Sequence, residues 1–223
     1  MRAATVAFAA CLAASLGAPA AAQTTPAPAP REQAPAPVSV RGFADAGAEI
    51  FHALEAFDAV FDRNTAVRLG GGVTVSLPLR LFADVRVSHM RMRGERAFLF
   101  EGTRYRLGIA NTFTVVPVQV TGGIRFARRG ARAIPYLGAG TGWYRATETS
   151  AFDGPGDSAR KTTLGYHAVG GADVRLWQHA GVGAEIEWSQ VSGGLAGRGI
   201  AGALSDTSLG GVTIRARVLV GSW

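Results

Sequence analysis

The chain has 223 residues, of which 48% are hydrophobic and 30 are glycine, and its formal net charge is +7. After the first two dozen residues no uninterrupted apolar run is long enough for a membrane-spanning helix, which excludes an ordinary helical membrane protein. The single cysteine, Cys11, lies in the N-terminal segment, so the rest of the chain has no disulfide and no thiol for catalysis or metal binding.

The N-terminus has the pattern of a secretory signal peptide. Arg2 supplies the positive charge, residues 3–16 the apolar segment, and three alanines end at Ala22 before the expected cleavage. Acylation of Cys11, as in a lipoprotein, is the alternative, but Phe-Ala-Ala is a poor lipobox. Removing 1–22 leaves 22 Lys+Arg against 16 Asp+Glu, a net +6. For an exported chain this excess favours an anionic lipid surface and not nucleic acid.

Residues 23–37 alternate proline with small residues and predict an extended linker. From 38 to 223 the dominant period is two, as in strands with one apolar and one polar face. In the first segment Val40 and Ile50 fall on the face opposite Arg41 and Glu49. Eight such strands are predicted, at about 38–51, 67–77, 81–88, 111–126, 134–145, 164–176, 182–189 and 212–220.

Short and long connections alternate along these strands. Strands of about ten residues match a tilted bilayer crossing, with short turns in the periplasm and long loops outside. We therefore expect an all-β, eight-stranded antiparallel up-and-down transmembrane β-barrel, in preference to a soluble β-sandwich, which would bury its apolar face. The expected periplasmic turns are 78–80, 127–132 and 177–180, and the expected external loops are 52–66, 91–110, 146–161 and 191–208. The apolar spacing in 51–63 fits a surface helix or, as we prefer, a hairpin that extends the two strands.

Three segments carry a resemblance to a known family: 134–143 (IPYLGAGTGW), 165–171 (GYHAVGG) and 209–218 (LGGVTIRARV). With them, residues 38–220 resemble the OmpA/OmpX-like outer-membrane barrels. The resemblance implies a bacterial outer-membrane location, insertion by the barrel-assembly machinery, and a role as a structural envelope protein, adhesin or resistance factor. One departure is the terminal aromatic: parity turns Trp223 inward, out of phase with the apolar face of the last strand.

No catalytic, metal or cofactor site is predicted. The glycine pairs and triples do not fit phosphate-binding loops and instead indicate bulges or close backbone approach. His52, His89, His167 and His179 lack metal-ligand spacing. Ser88 and His89 are adjacent, so they point to opposite faces and cannot form a catalytic pair.

The inward-facing residues predict a lumen filled by paired charges, because an eight-stranded barrel is only wide enough for side chains. Arg215 and Arg217 are expected to reach Asp45 or Glu49, and Arg175 to reach Glu185 or Glu187. The full predicted network is Arg41, Asp45, Glu49, Arg68, Asp84, Arg86, Arg125, Asp173, Arg175, Glu185, Glu187, Arg215 and Arg217.

A second cluster of charge lies in the expected external loop 91–110. Guanidinium groups there can pair with the phosphates of lipopolysaccharide, although a solvated basic loop explains them equally well. These residues are Arg91, Arg93, Arg96, Arg104 and Arg106. The sequence thus predicts a non-enzymatic outer-membrane barrel acting through its external loops, with outer-membrane lipid and lipopolysaccharide as partners. A narrow small-solute channel and a lipid A-modifying enzyme are the alternatives, and the sequence identifies no extracellular partner.

Overall fold

The computed structural model describes residues 38–52, 64–100, 103–127, 131–150, 159–192 and 209–223, with backbone only at 96–100, 103–106, 150 and 159. None of these residues belongs to a helix long and apolar enough to cross a membrane. The predicted signal peptide and linker lie outside the described residues.

Eight strands form a closed barrel in which each strand is antiparallel to its neighbours and β8 pairs with β1. Closure leaves no unpaired sheet edge along the barrel wall, which is the requirement for a sheet in lipid. This confirms the predicted fold class. The strands are β1 Ser39–Phe51, β2 Thr65–Ser76, β3 Leu81–Phe100, β4 Thr103–Arg125, β5 Ala133–Ser150, β6 Ala159–Arg175, β7 Ala180–Gln190 and β8 Gly211–Gly221.

The side chains alternate as the period of two predicts. The apolar side chains lie on the outer surface and the charged side chains inside the barrel. In β1, Arg41, Asp45 and Glu49 are buried, whereas Val40 and Ile50 are exposed on the outer surface. A soluble barrel would bury the apolar set, so this pattern is that of a barrel surrounded by lipid.

The middle strands are longer than the sequence predicted. β3 continues to Phe100 and β4 begins at Thr103, so most of the expected loop 91–110 is a paired hairpin with an irregularity between Glu95 and Ala97. The expected loop 146–161 is likewise shortened, because β5 continues to Ser150 and β6 begins at Ala159. The choice between helix and hairpin falls on 53–63, outside the described residues.

The described parts of the short turns lie at one end of the barrel, together with Val38 and the C-terminus. β1 and β8 meet there in the pair Arg41 and Gly221. The turn between β2 and β3 contains Leu79 and Arg80 with φ of 61° and 66°, the left-handed region that glycine and asparagine prefer. The long hairpins therefore project from the opposite end.

Inward glycines give space to rings on the neighbouring strand. At Gly171 an added Cβ would lie 2.6 Å from the Tyr136 hydroxyl and 2.6 Å from a backbone carbonyl of β7. Such close approach is what the strand glycines predicted. Four cross-strand pairs follow this pattern, namely Phe43 with Gly72, Phe82 with Gly123, Tyr136 with Gly171 and His167 with Gly140.

Candidate functional site

Charged side chains from seven of the eight strands meet inside the barrel. The predicted residue Arg175 is half-buried near the turn end. The other twelve predicted lumen residues are all buried: six acids (Asp45, Glu49, Asp84, Asp173, Glu185, Glu187) and six arginines (Arg41, Arg68, Arg86, Arg125, Arg215, Arg217). The equal numbers fit the need to pair charges that are removed from water.

Glu185 on β7 is the centre of the network. The Arg86 guanidinium donates to both of its carboxylate oxygens, at 2.7 and 3.2 Å, in the bidentate geometry that arginine and carboxylate favour. The Tyr136 hydroxyl donates to it at 2.7 Å and Arg217 Nη1 at 3.0 Å. Arg215 Nε lies 3.4 Å away. These contacts join strands from opposite sides of the barrel.

A second group lies nearer the end with the long hairpins. Glu187 accepts from Arg215 Nη2 at 2.5 Å and from the Gln119 amide at 2.9 Å, and it lies 3.4 Å from Arg68 Nη1. Arg68 also reaches Glu49 at 3.2 Å. Because these groups share partners, the charges form a continuous network and not isolated pairs.

The turn end is less tightly paired. Asp173 lies 3.9 Å from Arg125 Nη2 and 4.0 Å from Arg217 Nε. Arg41 donates to Ser76 at 3.0 Å and stacks on the Trp223 ring, 4.6 Å from its centroid. Trp223 therefore turns toward the inside of the barrel, as its parity predicted.

Two expectations about pairing were wrong. Arg217 is opposite Asp45 in the β1–β8 register, yet its ion pairs are with Asp84, Asp173 and Glu185. Arg215 likewise pairs with Glu185 and Glu187 and not with an acid of β1. The long guanidinium side chains extend across the lumen instead of along the seam.

Arg175 also does not form the expected contact with Glu185 or Glu187. In the β6–β7 register Arg175 is opposite Gly181, whereas Glu185 is opposite Gly171. The four-residue offset places the arginine near the turn end. The two glutamates instead form ion pairs with Arg68, Arg86, Arg215 and Arg217.

An apolar layer fills the barrel beyond the charges, and sequence reasoning missed it. It continues the inward faces of the strands toward the long hairpins, where Phe51 follows Glu49 and Met90 follows Ser88 at the same parity. This change from charged or polar to apolar residues on the inward faces of the strands was the sequence signal that could have predicted the layer. The cluster contains Phe51, Ala66, Met90, Met92, Phe113, Val115, Tyr144, Ala146, Val191 and Leu209.

On the outer surface of β3, β5 and β6, the side chains change from apolar to basic at about the height where the lumen changes from charged to apolar. Near this end the exposed apolar wall carries the aromatic residues Trp143, Tyr166 and Trp188, typical of a membrane interface. Beyond it Arg91, Arg93, Arg145 and Arg160 are exposed. Arg91 and Arg93 belong to the predicted lipopolysaccharide group and lie on β3, not in a loop. The side chains of its other members, Arg96, Arg104 and Arg106, lie outside what the structure describes.

Ser88 and His89 point to opposite faces: Ser88 is buried in the lumen and His89 is exposed outside. His167 is buried and contacts the Thr121 hydroxyl at 2.8 Å. Within the described residues no group of three or more histidine, cysteine or acidic side chains is placed to hold a metal ion.

No family model and no curated protein matches the chain. Among solved structures, it is similar to a major outer membrane protein from Thermus thermophilus, with a TM-score of 0.51, 12% identity, and coverage of 82% of this chain and 98% of that one. Neisserial surface protein A matches with a TM-score of 0.49 and 14% identity over 84% and 99% of the two chains. Ail of Yersinia pestis matches with a TM-score of 0.45 and 16% identity over 82% and 95%.

At these identities the similarity is one of fold. A closed eight-stranded barrel with an apolar outer wall and a charged interior defines a membrane β-barrel of the outer-membrane type.

Proposed function

We propose that the protein is a non-enzymatic barrel of the bacterial outer membrane, a closed anchor that holds its long β3–β4 and β5–β6 hairpins outside the cell. The observation that carries this proposal is the filling of the lumen by two successive layers, one charged and one apolar. Function then lies in the projecting surface, as is usual where a rigid scaffold presents variable connections.

Both layers oppose conduction. The charged layer is held by contacts such as Arg86 to Glu185, and the apolar layer contains Met92, which is fully buried. A permeating ion would have to break buried ion pairs and then cross the section filled by the apolar cluster. This supports the closed anchor over the small-solute channel.

Nothing in the arrangement of Ser88 and His89 supports the lipid A-modifying alternative. A lipid-facing hydrolase needs its nucleophile and its base on the same side of the sheet. Here the serine faces the lumen and the histidine the outside. Export through a cleaved signal peptide and assembly by the barrel-assembly machinery remain part of the proposal.

Planar-bilayer recording tests the closed state, with one variant for each layer. The wild-type barrel is expected to give no steady open state. Met92→Ala with Phe113→Ala removes volume from the apolar layer, and Arg86→Ala with Glu185→Ala removes one ion pair, with its volume, from the charged layer. Each double variant is expected to stay closed because the other layer remains, whereas the fourfold variant conducts. Steady conductance of the wild-type protein, checked for folding by its heat-modifiable gel migration, would favour the channel.

Trypsin added to intact cells tests the orientation. Arg63 and Arg198 belong to the connections expected outside, and Arg128 and Arg129 to a turn expected in the periplasm. Of these four sites, Arg63 and Arg198 are expected to be cut in intact cells. Arg128 and Arg129 are expected to be cut only after the outer membrane is opened. Cutting of intact cells at Arg128 or Arg129 would refute the orientation.

A further inference from the structure

Three strands, β3, β5 and β6, carry basic side chains on one sector of the outer wall, and β4 lies between them. In the strand register Arg91 of β3 is opposite Thr114 of β4, Thr114 is opposite Thr147 of β5, and Thr147 is opposite Arg160 of β6. All four residues share the outward parity, so two arginines and two threonine hydroxyls form one row across β3–β6. Adjacent strands are about 4.8 Å apart, which places the two arginine positions about 14 Å apart along the row.

The row lies just beyond the apolar wall. Among the described residues, the last apolar outward side chains of β3 and β6 are Val87 and Leu164. Arg91 and Arg160 lie four residues further toward the long hairpins. On β5, Arg145 lies two residues beyond Trp143. Aromatic side chains at this position mark the level of lipid headgroups. The arginines are therefore at the height where the charged part of an outer-leaflet lipid lies.

Among the described residues just beyond the apolar wall, the outward-facing basic side chains are confined to this sector. Just beyond the wall on β7, β1 and β2 the described outward residues are Gln190, Ser192, His52 and Thr65. On the basic sector Arg93 adds a further cation, and Glu95 is the one exposed outward acid among the described residues.

We propose that the outer wall of β3–β6, defined by Arg91, Arg145, Arg160, Thr114 and Thr147, binds the phosphates of a diphosphorylated glycolipid of the lipopolysaccharide type. The proposal rests on the outer-membrane placement proposed above. Each guanidinium can bind a phosphate through two parallel hydrogen bonds, and the intervening hydroxyls can donate to the sugar or phosphate oxygens. Because the two ends of the row are too far apart for one phosphate, a lipid with two separated phosphates fits it better than a phospholipid with one.

This assignment differs from the one made from the sequence alone. The sequence located the basic cluster in a single external loop after β3. The strand pairing instead adds Arg145 and Arg160, which are separated from Arg91 by more than fifty residues, and places the site on the barrel wall. Binding there would hold the barrel at a fixed depth and rotation in the outer leaflet.

The test is binding of purified lipid A bisphosphate to the full-length mature protein in detergent micelles, followed by native mass spectrometry. The variant is Arg91→Gln with Arg160→Gln. The matched control is Arg80→Gln with Arg132→Gln, which removes the same charge from exposed sites at the turn end. Dephosphorylated lipid A and phosphatidylglycerol are the comparison lipids.

The wild-type protein and the control are expected to bind lipid A bisphosphate equally, and the variant to bind at least about tenfold more weakly, as expected when charge-assisted contacts to phosphate are lost. The wild-type protein should bind dephosphorylated lipid A and phosphatidylglycerol only weakly. Its affinity for either lipid should not exceed the affinity of the variant for lipid A bisphosphate. If the control variant loses as much affinity as Arg91→Gln with Arg160→Gln, binding depends only on net charge and the proposed site is refuted. Equal binding of phosphatidylglycerol would refute the diphosphate specificity. Neither outcome bears on the closed lumen or the protease pattern, so the two proposals fail separately.

Discussion

Removing the central carboxylate of the lumen is the sharpest test of the charge network. Glu185→Ala deletes the acceptor of two bonds from Arg86 and of one each from Tyr136 and Arg217. Arg86 keeps Asp45 at 3.1 Å and Glu187 at 3.6 Å, so part of its charge remains compensated.

Breaking a buried ion pair by removing one partner costs about 3–5 kcal/mol, because the remaining charge stays buried. The contacts that Arg86 retains place the expected loss of unfolding free energy near the lower limit, about 3 kcal/mol. Arg86→Ala together with Glu185→Ala removes both partners, so the double variant should lose less than the sum of the single losses, with a coupling of about 1–3 kcal/mol. Glu95→Ala, at an exposed outer position, is the control and should stay within about 0.5 kcal/mol of wild type.

The assay is reversible urea unfolding of the barrel in lipid vesicles, followed by tryptophan fluorescence and by heat-modifiable gel migration. The wild type, the two single variants, the double variant and the exposed control form one series at a fixed pH and salt concentration. If Glu185→Ala unfolds with the free energy of the control, or if the single losses are additive, the lumen charges do not form a coupled network and the reasoning is refuted.

Two further predictions concern the backbone. Gly171→Ala should lower the unfolding free energy by about 1–3 kcal/mol, because the new methyl group would displace Tyr136 or the adjacent strand, whereas Gly122→Ala, with no atom within 4 Å of the added Cβ, should be neutral in the same urea assay. In the turn between β2 and β3, replacing Leu79 by Asn and Arg80 by Gly should raise the unfolding free energy by up to about 1 kcal/mol for each residue, since both have positive φ; unchanged or lower stability would contradict the turn conformation.

The long hairpins show where local pattern is insufficient. Residues 91–110 contain many polar side chains, and their apolar residues do not alternate regularly with polar ones. The sequence therefore predicted a loop. The structure continues β3 and β4 there because each hairpin strand pairs with its partner, and pairing depends on the neighbour and not on the local pattern. Strand ends were accordingly the least well predicted part of the fold.

The sequence by itself determined the number of strands, their alternation and the inward side of the predicted lumen charges, because side-chain direction in a strand follows parity alone. Parity also predicted the inward turn of Trp223 and the opposite faces of Ser88 and His89. It could not predict that Arg217 pairs with Asp84 and Asp173 and not with Asp45, because a long guanidinium group crosses a narrow lumen to strands that are not its neighbours.

Tertiary structure alone also brought Arg91 and Arg160 onto one row of the outer wall. Their approach depends on the register of three successive strand pairs, and a one-residue slip in any of them would turn one set of side chains into the lumen. The apolar layer above the charges has the same origin: its residues come from strands all around the barrel and become a cluster only when the sheet closes.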